Sequence, residues 1–199
     1  MSRLPDLAPD RLAPDQLEVH EAIAGGPRAS GKQLFELKQD DGSLNGPFGT
    51  MVQAPSVGLQ LQELGAALRY RTSMTDRGRE IAILVVAAAT KSEFEWYAHE
   101  RVGRAVGLTE DELQDLKRLD FSSTDPAEEM IARLCVSLMA DERLDDAGFE
   151  QIREVLGETQ MVELTTLVGY YRTLAQLMDV FDIGVPAQTV GATSERNAS

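Results

Sequence analysis

The stretch 79–108, REIAILVVAAATKSEFEWYAHERVGRAVGL, decides the fold. Its run IAILVVAAAT, at 81–90, is apolar on every side of a helix. Such a helix is enclosed by other helices, because a surface helix keeps one polar face. Glu93 to Val106 forms the next helix, and Gly107 stops it. Ser92, Glu95 and His99 are spaced three and four apart and share one face of that helix. Val102 and Val106 continue the face and turn it inward.

Helical signals extend in both directions. Pro55 sits at a first helical position, and Val57, Leu61, Leu64 and Leu68 follow on one face. Thr75-Asp76 opens the apolar helix, and Thr109-x-x-Glu112 is a capping box for another. Thr124-Asp125-Pro126 starts a further helix, with Met130, Leu134, Ser137 and Leu138 on one face. Asp145 to Leu156 follows, ended by Gly157, and the last helix runs from about Glu158 to Met178. Its apolar residues include Val162, Leu164, Leu167, Val168, Tyr171, Leu174 and Leu177. Upstream, residues 1–14 read as an extended arm, and Asp15 caps a short helix through Ile23 that stops at Gly25-Gly26-Pro27. The turn-forming segment DDGSLNGPFGT, at 40–50, places Phe48 in a loop. No strand alternation or internal repeat is visible. The expectation is an all-α bundle of about 7–9 helices, with 1–184 as a single domain and 185–199 as a flexible tail.

Composition narrows the function. The chain has 199 residues, 19 Lys and Arg against 33 Asp and Glu, and a net charge of −14. That charge repels phosphate backbones and argues against nucleic acid as a partner. No apolar run approaches the ~18 residues of a membrane span, and no secretory signal is visible at the N-terminus, so a cytoplasmic protein is expected. The lone Cys135 excludes an intramolecular disulfide framework and multi-cysteine zinc sites. It lies in ARLCVSLMA at an apolar position and reads as a small buried hydrophobe. The two apolar helices 81–89 and 158–178 call for more packing partners than a thin monomer supplies, which points to a homo-oligomer.

The acid–base residues are few. His20 lies in a charged N-terminal helix and reads as solvated surface. His99 is either half of an exposed Glu95–His99 pair or part of a half-buried site, and spacing alone leaves both open. Glu80 opens the apolar run, where a carboxylate must be paired or shifted in pKa. It is neutralised by Arg77 or Arg79, or sits at a first-turn helix-dipole position near Asp76, or is placed to form a proton relay with Glu95 and His99. Arg69, Arg71, Arg77 and Arg79 cluster around one interhelical turn, where they either hold a carboxylate substrate or complement helix charge. Trp96 and Tyr97 flank the Glu95–His99 face. No phosphate-binding loop or nucleophile elbow is present. Glu80, Glu95 and His99 offer one nitrogen and two carboxylates with no further ligand, so neither a metal nor another cofactor is expected.

The stretch from Arg79-Glu80 through Leu113 resembles the carboxymuconolactone decarboxylase family, which shares its all-α fold with alkylhydroperoxidase D. GPFGTMVQAPSVGLQLQELGAALRYR before it and VELTTLVGYYRTLAQLM after it are similar too, with a core at about 46–118. In the peroxidase branch a Glu is followed by Cys-x-x-Cys and then a His. Here Glu80 and His99 hold the outer positions, while Ser92 and Glu95 stand where the cysteines would be. Peroxide reduction needs a thiolate and a resolving thiol, so thiol peroxidase activity is not expected. The resemblance implies a decarboxylase-like lyase acting on a small carboxylate or lactone. Glu80, Glu95 and His99 would be catalytic. Ser92, Arg77, Arg79, Trp96, Tyr97 and Phe48 would contact substrate. The family also implies a trimer or hexamer, with a dimer open. Two other readings stay open: a peroxidase relative without its own redox pair, and a non-catalytic ligand-binding oligomer. The arm 1–45 has no role assigned.

Overall fold

Proline opens four of the helices, where its missing N–H needs no helical partner and its φ is already helical. These are α1 (Pro14–Ala24), α2 (Pro47–Gln53), α3 (Pro55–Tyr70) and α7 (Pro126–Met139). Side-chain caps open the others: Thr75 for α4 (Asp76–Thr90), Ser92 for α5 (Glu93–Ala105), Thr109 for α6 (Glu110–Arg118) and Asp145 for α8 (Asp146–Val180). The computed structural model describes residues 2–30 and 33–186. Among these the fold is all-α, with eight α-helices, two short 3-10 turns and an isolated bridge between Lys38 and Leu44. No described helix is long and apolar enough to cross a membrane. Most of the tail expected over 185–199 lies outside the described residues.

α4 is the axis of the molecule. Ile81 to Ala87 are all buried, as the apolar run requires, and α5, α6, α7 and α8 pack around it. Within α8, Gly157 adopts φ 72° and ψ 164° and separates the segments 146–156 and 158–180 at the expected boundary. The second segment buries Leu164, Leu167, Tyr170, Tyr171 and Leu174, whereas Val162 faces outward.

Four local expectations are corrected. Phe48 is not in a loop: Pro47 starts α2 one residue earlier, and Phe48 is buried on it. His20 is not solvated. It lies on the buried face of α1 with Val19 and Ile23, and its Nε2 is 2.9 Å from the Gly42 carbonyl oxygen, which supplies the polar partner that burial demands. The apolar face of α3 is only partly inward: Leu68 is buried, but Val57 and Leu64 are exposed. α3 turns Gly58 and Gly65 inward instead, because the Met51 backbone and the Tyr170 hydroxyl approach too closely for a side chain. On α7 the buried face is Ile131, Ala132, Leu134 and Cys135, rotated from the expected stripe. The extended arm is held to the C-terminal end of α8: Arg3 donates from its backbone N–H to Phe181 O at 2.8 Å and from Nη1 to Val180 O at 2.8 Å.

Gly46 joins the arm to the core. Its φ of 60° and ψ of −139° suit glycine, and an added Cβ would lie 2.2 Å from the Phe94 ring. Gly46→Ala is expected to destabilise the fold by more than about 2 kcal/mol, from backbone strain and overpacking together. Urea denaturation measures this, and a change below about 0.5 kcal/mol, the range of an ordinary surface substitution, would contradict it.

Candidate active site

The turn between α4 and α5 sets the site. Lys91 takes a left-handed conformation (φ 56°), the Ser92 N–H donates to Ala87 O at 3.0 Å, and Ser92 then caps α5. This tight reversal folds α5 back along α4 and brings His99 opposite Glu80. His99 Nδ1 donates to Glu80 Oε2 at 2.6 Å. One helical turn earlier, Glu95 Oε2 lies 3.4 Å from His99 Nε2. All three side chains are buried. The imidazole therefore sits between two carboxylates, one on each ring nitrogen. The Tyr171 ring meets the His99 ring edge to face at 5.3 Å and fixes its plane from α8.

Burial by itself would push the His99 pKa down, but the charge and hydrogen bond of Glu80, with those of Glu95, outweigh it and hold the value above 6.5. Glu80 Oε1 accepts no hydrogen bond among the described residues, although Arg69 Nη1 at 3.9 Å and Arg79 Nε at 4.0 Å provide charge. Glu95 Oε1 is also buried with no hydrogen-bond partner among the described residues. Burial pushes the Tyr170 hydroxyl up to about 12 even though the Arg28 guanidinium beside it opposes the shift. Burial raises the Tyr171 phenol further.

Glu95 and His99 line a cavity of about 200 Å³. Its other walls include Phe35, Phe48, Phe94, Arg28, Arg69, Tyr170 and Tyr171. A larger, more polar groove of about 850 Å³ runs between the N-terminal arm and residues 182–186, but none of the three relay residues lines it. Among the described residues no group of three or more His, Cys, Asp or Glu is arranged to hold a metal ion.

Of the residues expected to contact substrate, Phe48 lines the cavity. Arg79 is buried behind Glu80 and donates to Asp76 Oδ1 at 2.6 Å. The other four point elsewhere. Arg77 pairs with Glu112 and with Glu128 (2.6 Å) and donates to Gly107 O at 2.7 Å, which locks α4 to α6 and α7. Ser92 is occupied as the cap of α5. Trp96 donates to Glu100 Oε2 at 3.2 Å and lies under Lys117. Tyr97 packs under Arg101, whose guanidinium is 4.0 Å from its ring centroid. Sequence reasoning missed Arg28, Phe35, Phe94, Tyr170 and Tyr171 as cavity walls. The Tyr170-Tyr171 doublet within an apolar helix was a usable signal, because buried phenols need partners. Nothing local marks Arg28.

Residues 55–132 match the carboxymuconolactone decarboxylase family. The family region runs from the start of α3 into α7 and contains Glu80, Glu95 and His99. No curated protein matches the chain. A peroxidase-related protein from Ralstonia eutropha JMP134, described as an alkylhydroperoxidase AhpD core, has the same fold, with TM-score 0.72, 14% identity and 92% of each chain covered. The debrominase Bmp8, solved as a cysteine-to-alanine variant with 2,3,4-tribromopyrrole, superposes with TM-score 0.66 at 11% identity, covering 88% of this chain and 87% of that one. At these identities the likeness extends to the fold.

The raised His99 value gives a direct prediction. Imidazole NMR of the protein, with His20→Gln used for assignment, should show His99 titrating above 6.5. By linkage, protonated His99 contributes its full stabilisation below about pH 6.5, and that contribution is lost as pH rises through the raised folded value. A midpoint at or below 6.5 would show that desolvation outweighs the carboxylates.

Proposed function

We propose that the chain is a carboxymuconolactone-decarboxylase-like enzyme that uses Glu80, His99 and Glu95 for acid–base chemistry on a small carboxylic acid or lactone. The observation that carries this reading is the buried Glu80–His99–Glu95 line, which ends in an unpartnered carboxylate oxygen at a small cavity. In this reading the scissile C–C bond of an unsaturated lactone acid breaks, CO₂ leaves, and the electron pair flows into the conjugated carbonyl. The resulting enolate carbon then needs a proton. Protonated His99 passes its Nε2 proton to the Glu95 carboxylate, Glu95 delivers a proton to that carbon, and a solvent proton later restores the imidazolium. Glu80 holds Nδ1–H and fixes the ring orientation.

The thiol alternative has little support. Ser92 and Glu95 carry no thiol, and Cys135 is fully buried with its pKa pushed far up by desolvation. The tribromopyrrole of the debrominase is a single small ring, a size that also suits this cavity. Exposed Val57, Leu64 and Tyr70 on α3, with Phe149, Val155 and Val162 on α8, favour a homo-oligomer, a trimer or hexamer by family likeness or a dimer.

With a turned-over lactone acid, His99→Ala or Glu95→Gln should lower kcat by about 10²–10⁴-fold, and Glu80→Gln by less, since it positions the relay. Hydroperoxide reduction with a dithiol donor should stay at background, and Cys135→Ala should leave turnover intact. An unchanged kcat in His99→Ala would sink the relay. Light scattering should report a multiple of 21.8 kDa; a stable monomer at micromolar concentration would refute the assembly.

A further inference from the structure

The cavity holds a charge that the relay does not use. Arg28, on the 3-10 turn Pro27–Ala29, is contributed by the arm that precedes the family region. Its Nε and Nη2 atoms are buried, although the residue as a whole is only half-buried, and beside them lies the neutral Tyr170 hydroxyl. No carboxylate among the described residues pairs with it. Its guanidinium lies over the Phe48 ring, 5.2 Å from the centroid, and beside the Tyr170 hydroxyl. The space it occupies is reserved for it: a Cβ at Gly65 would fall 2.5 Å from Nη2 and 2.2 Å from the Tyr170 oxygen. A half-buried guanidinium whose buried N–H groups meet no carboxylate gains from an anion that completes them.

The formal charges around the cavity point the same way. Glu80 and Glu95 are negative, while Arg28, Arg69 and His99, which is held toward its protonated form, are positive. Arg79 is already paired with Asp76. One positive charge is left over in a protein whose net charge is −14. The remaining walls, Phe35, Phe48, Phe94 and Tyr171, are aromatic. A pocket of ~150 Å³ accommodates benzene, so about 200 Å³ suits one ring with one small substituent.

We propose that Arg28 is the carboxylate-binding residue of this cavity, and that the ligand is a single-ring monocarboxylate whose ring packs among the aromatic walls. Arg69 adds charge from the α3 side. This deepens the proposed decarboxylase-like reading and rests on it for the reaction, but not for binding. The arm then has a function, which is to select an anionic substrate for the relay.

Calorimetry with benzoate and its neutral isostere benzamide tests the proposal without turnover. Benzoate should bind the wild-type protein about 10–100-fold more tightly than benzamide, the usual worth of a charge-assisted hydrogen bond. Arg28→Gln should erase that preference while leaving benzamide affinity within about twofold. Arg28→Lys should keep part of it, since the charge remains and the planar fork is lost. Gly65→Ala, which displaces the guanidinium without changing any charge, should weaken benzoate selectively. Glu95→Gln should leave the preference intact. Equal affinity for the two probes in the wild-type protein, or an undiminished preference in folded Arg28→Gln, would overturn the assignment. A preference lost in Arg28→Gln alongside unaffected turnover in Glu95→Gln would instead uphold Arg28 and refute the relay.

Discussion

A carboxylate sits at the head of the apolar run of the most enclosed helix, and the rest of the architecture answers to it. Glu80 shares α4 with seven consecutive buried residues, Ile81 to Ala87, and has no route to water. An isolated charge there would be costly, so a partner must be delivered to it. The α4–α5 turn does this. Its length fixes which residue of α5 falls opposite Glu80, and His99 meets it at 2.6 Å. A one-residue change in that turn would rotate α5 by about 100° and take His99 away from Glu80. The capped turn at Lys91 and Ser92 is therefore as much a part of the site as the side chains that meet there. Ser92 stands at a motif position of the peroxidase branch, yet here its hydroxyl closes a helix end.

The arm and α3 complete what α4 and α5 begin. The inward glycines of α3 allow backbone and polar groups to approach where larger residues would hold them off. That leaves apolar side chains such as Val57 and Leu64 on the outer surface. One choice thus has two results: room for the Arg28 and Tyr170 groups inside, and an apolar face outside that a second copy can cover.

The legibility of these features follows the range of the interactions behind them. Helix starts were readable because Pro55, Pro126, Thr75 and the Thr109–Glu112 box act within one turn of chain. The buried axis was readable from 81–90 because nothing polar interrupts it. The three relay residues were singled out because their spacing is helical and Glu80 violates the pattern around it. What could not be read depends on partners distant in sequence. His20 looks solvated until the Gly42 carbonyl is brought over it, and Arg77 looks available until Glu112 and Glu128 take it. Arg69, read first as helix charge and second as a substrate contact, lines the cavity because α8 presents Tyr171 beside it. Arg28 lies in a turn with no periodicity, so its burial has no local signature.

In the proposed reading, the choice between thiol chemistry and proton chemistry rests on positions 92 and 95. A Cys-x-x-Cys pair gives a nucleophile and a resolving group that exchange electron pairs with an oxidant. Ser92 and Glu95 can exchange only protons, and Cys135, behind the packed face of α7, is out of reach of any substrate. A carboxylate at 95 also changes what the neighbouring histidine does. Beside a thiol, an imidazole accepts a proton to create a thiolate. Between two carboxylates, as here, it is held toward the protonated form and has a proton to give. Carbon protonation needs such a donor next to a developing enolate, and it also needs the substrate's own charge to be met elsewhere, so that the anion is not repelled by Glu95. In the proposed site those two requirements fall on opposite walls of one cavity, the relay on α4 and α5 and the guanidinium on the arm. In that proposal, the acid–base residues at 92–99 and the guanidinium at 28 serve one chemistry.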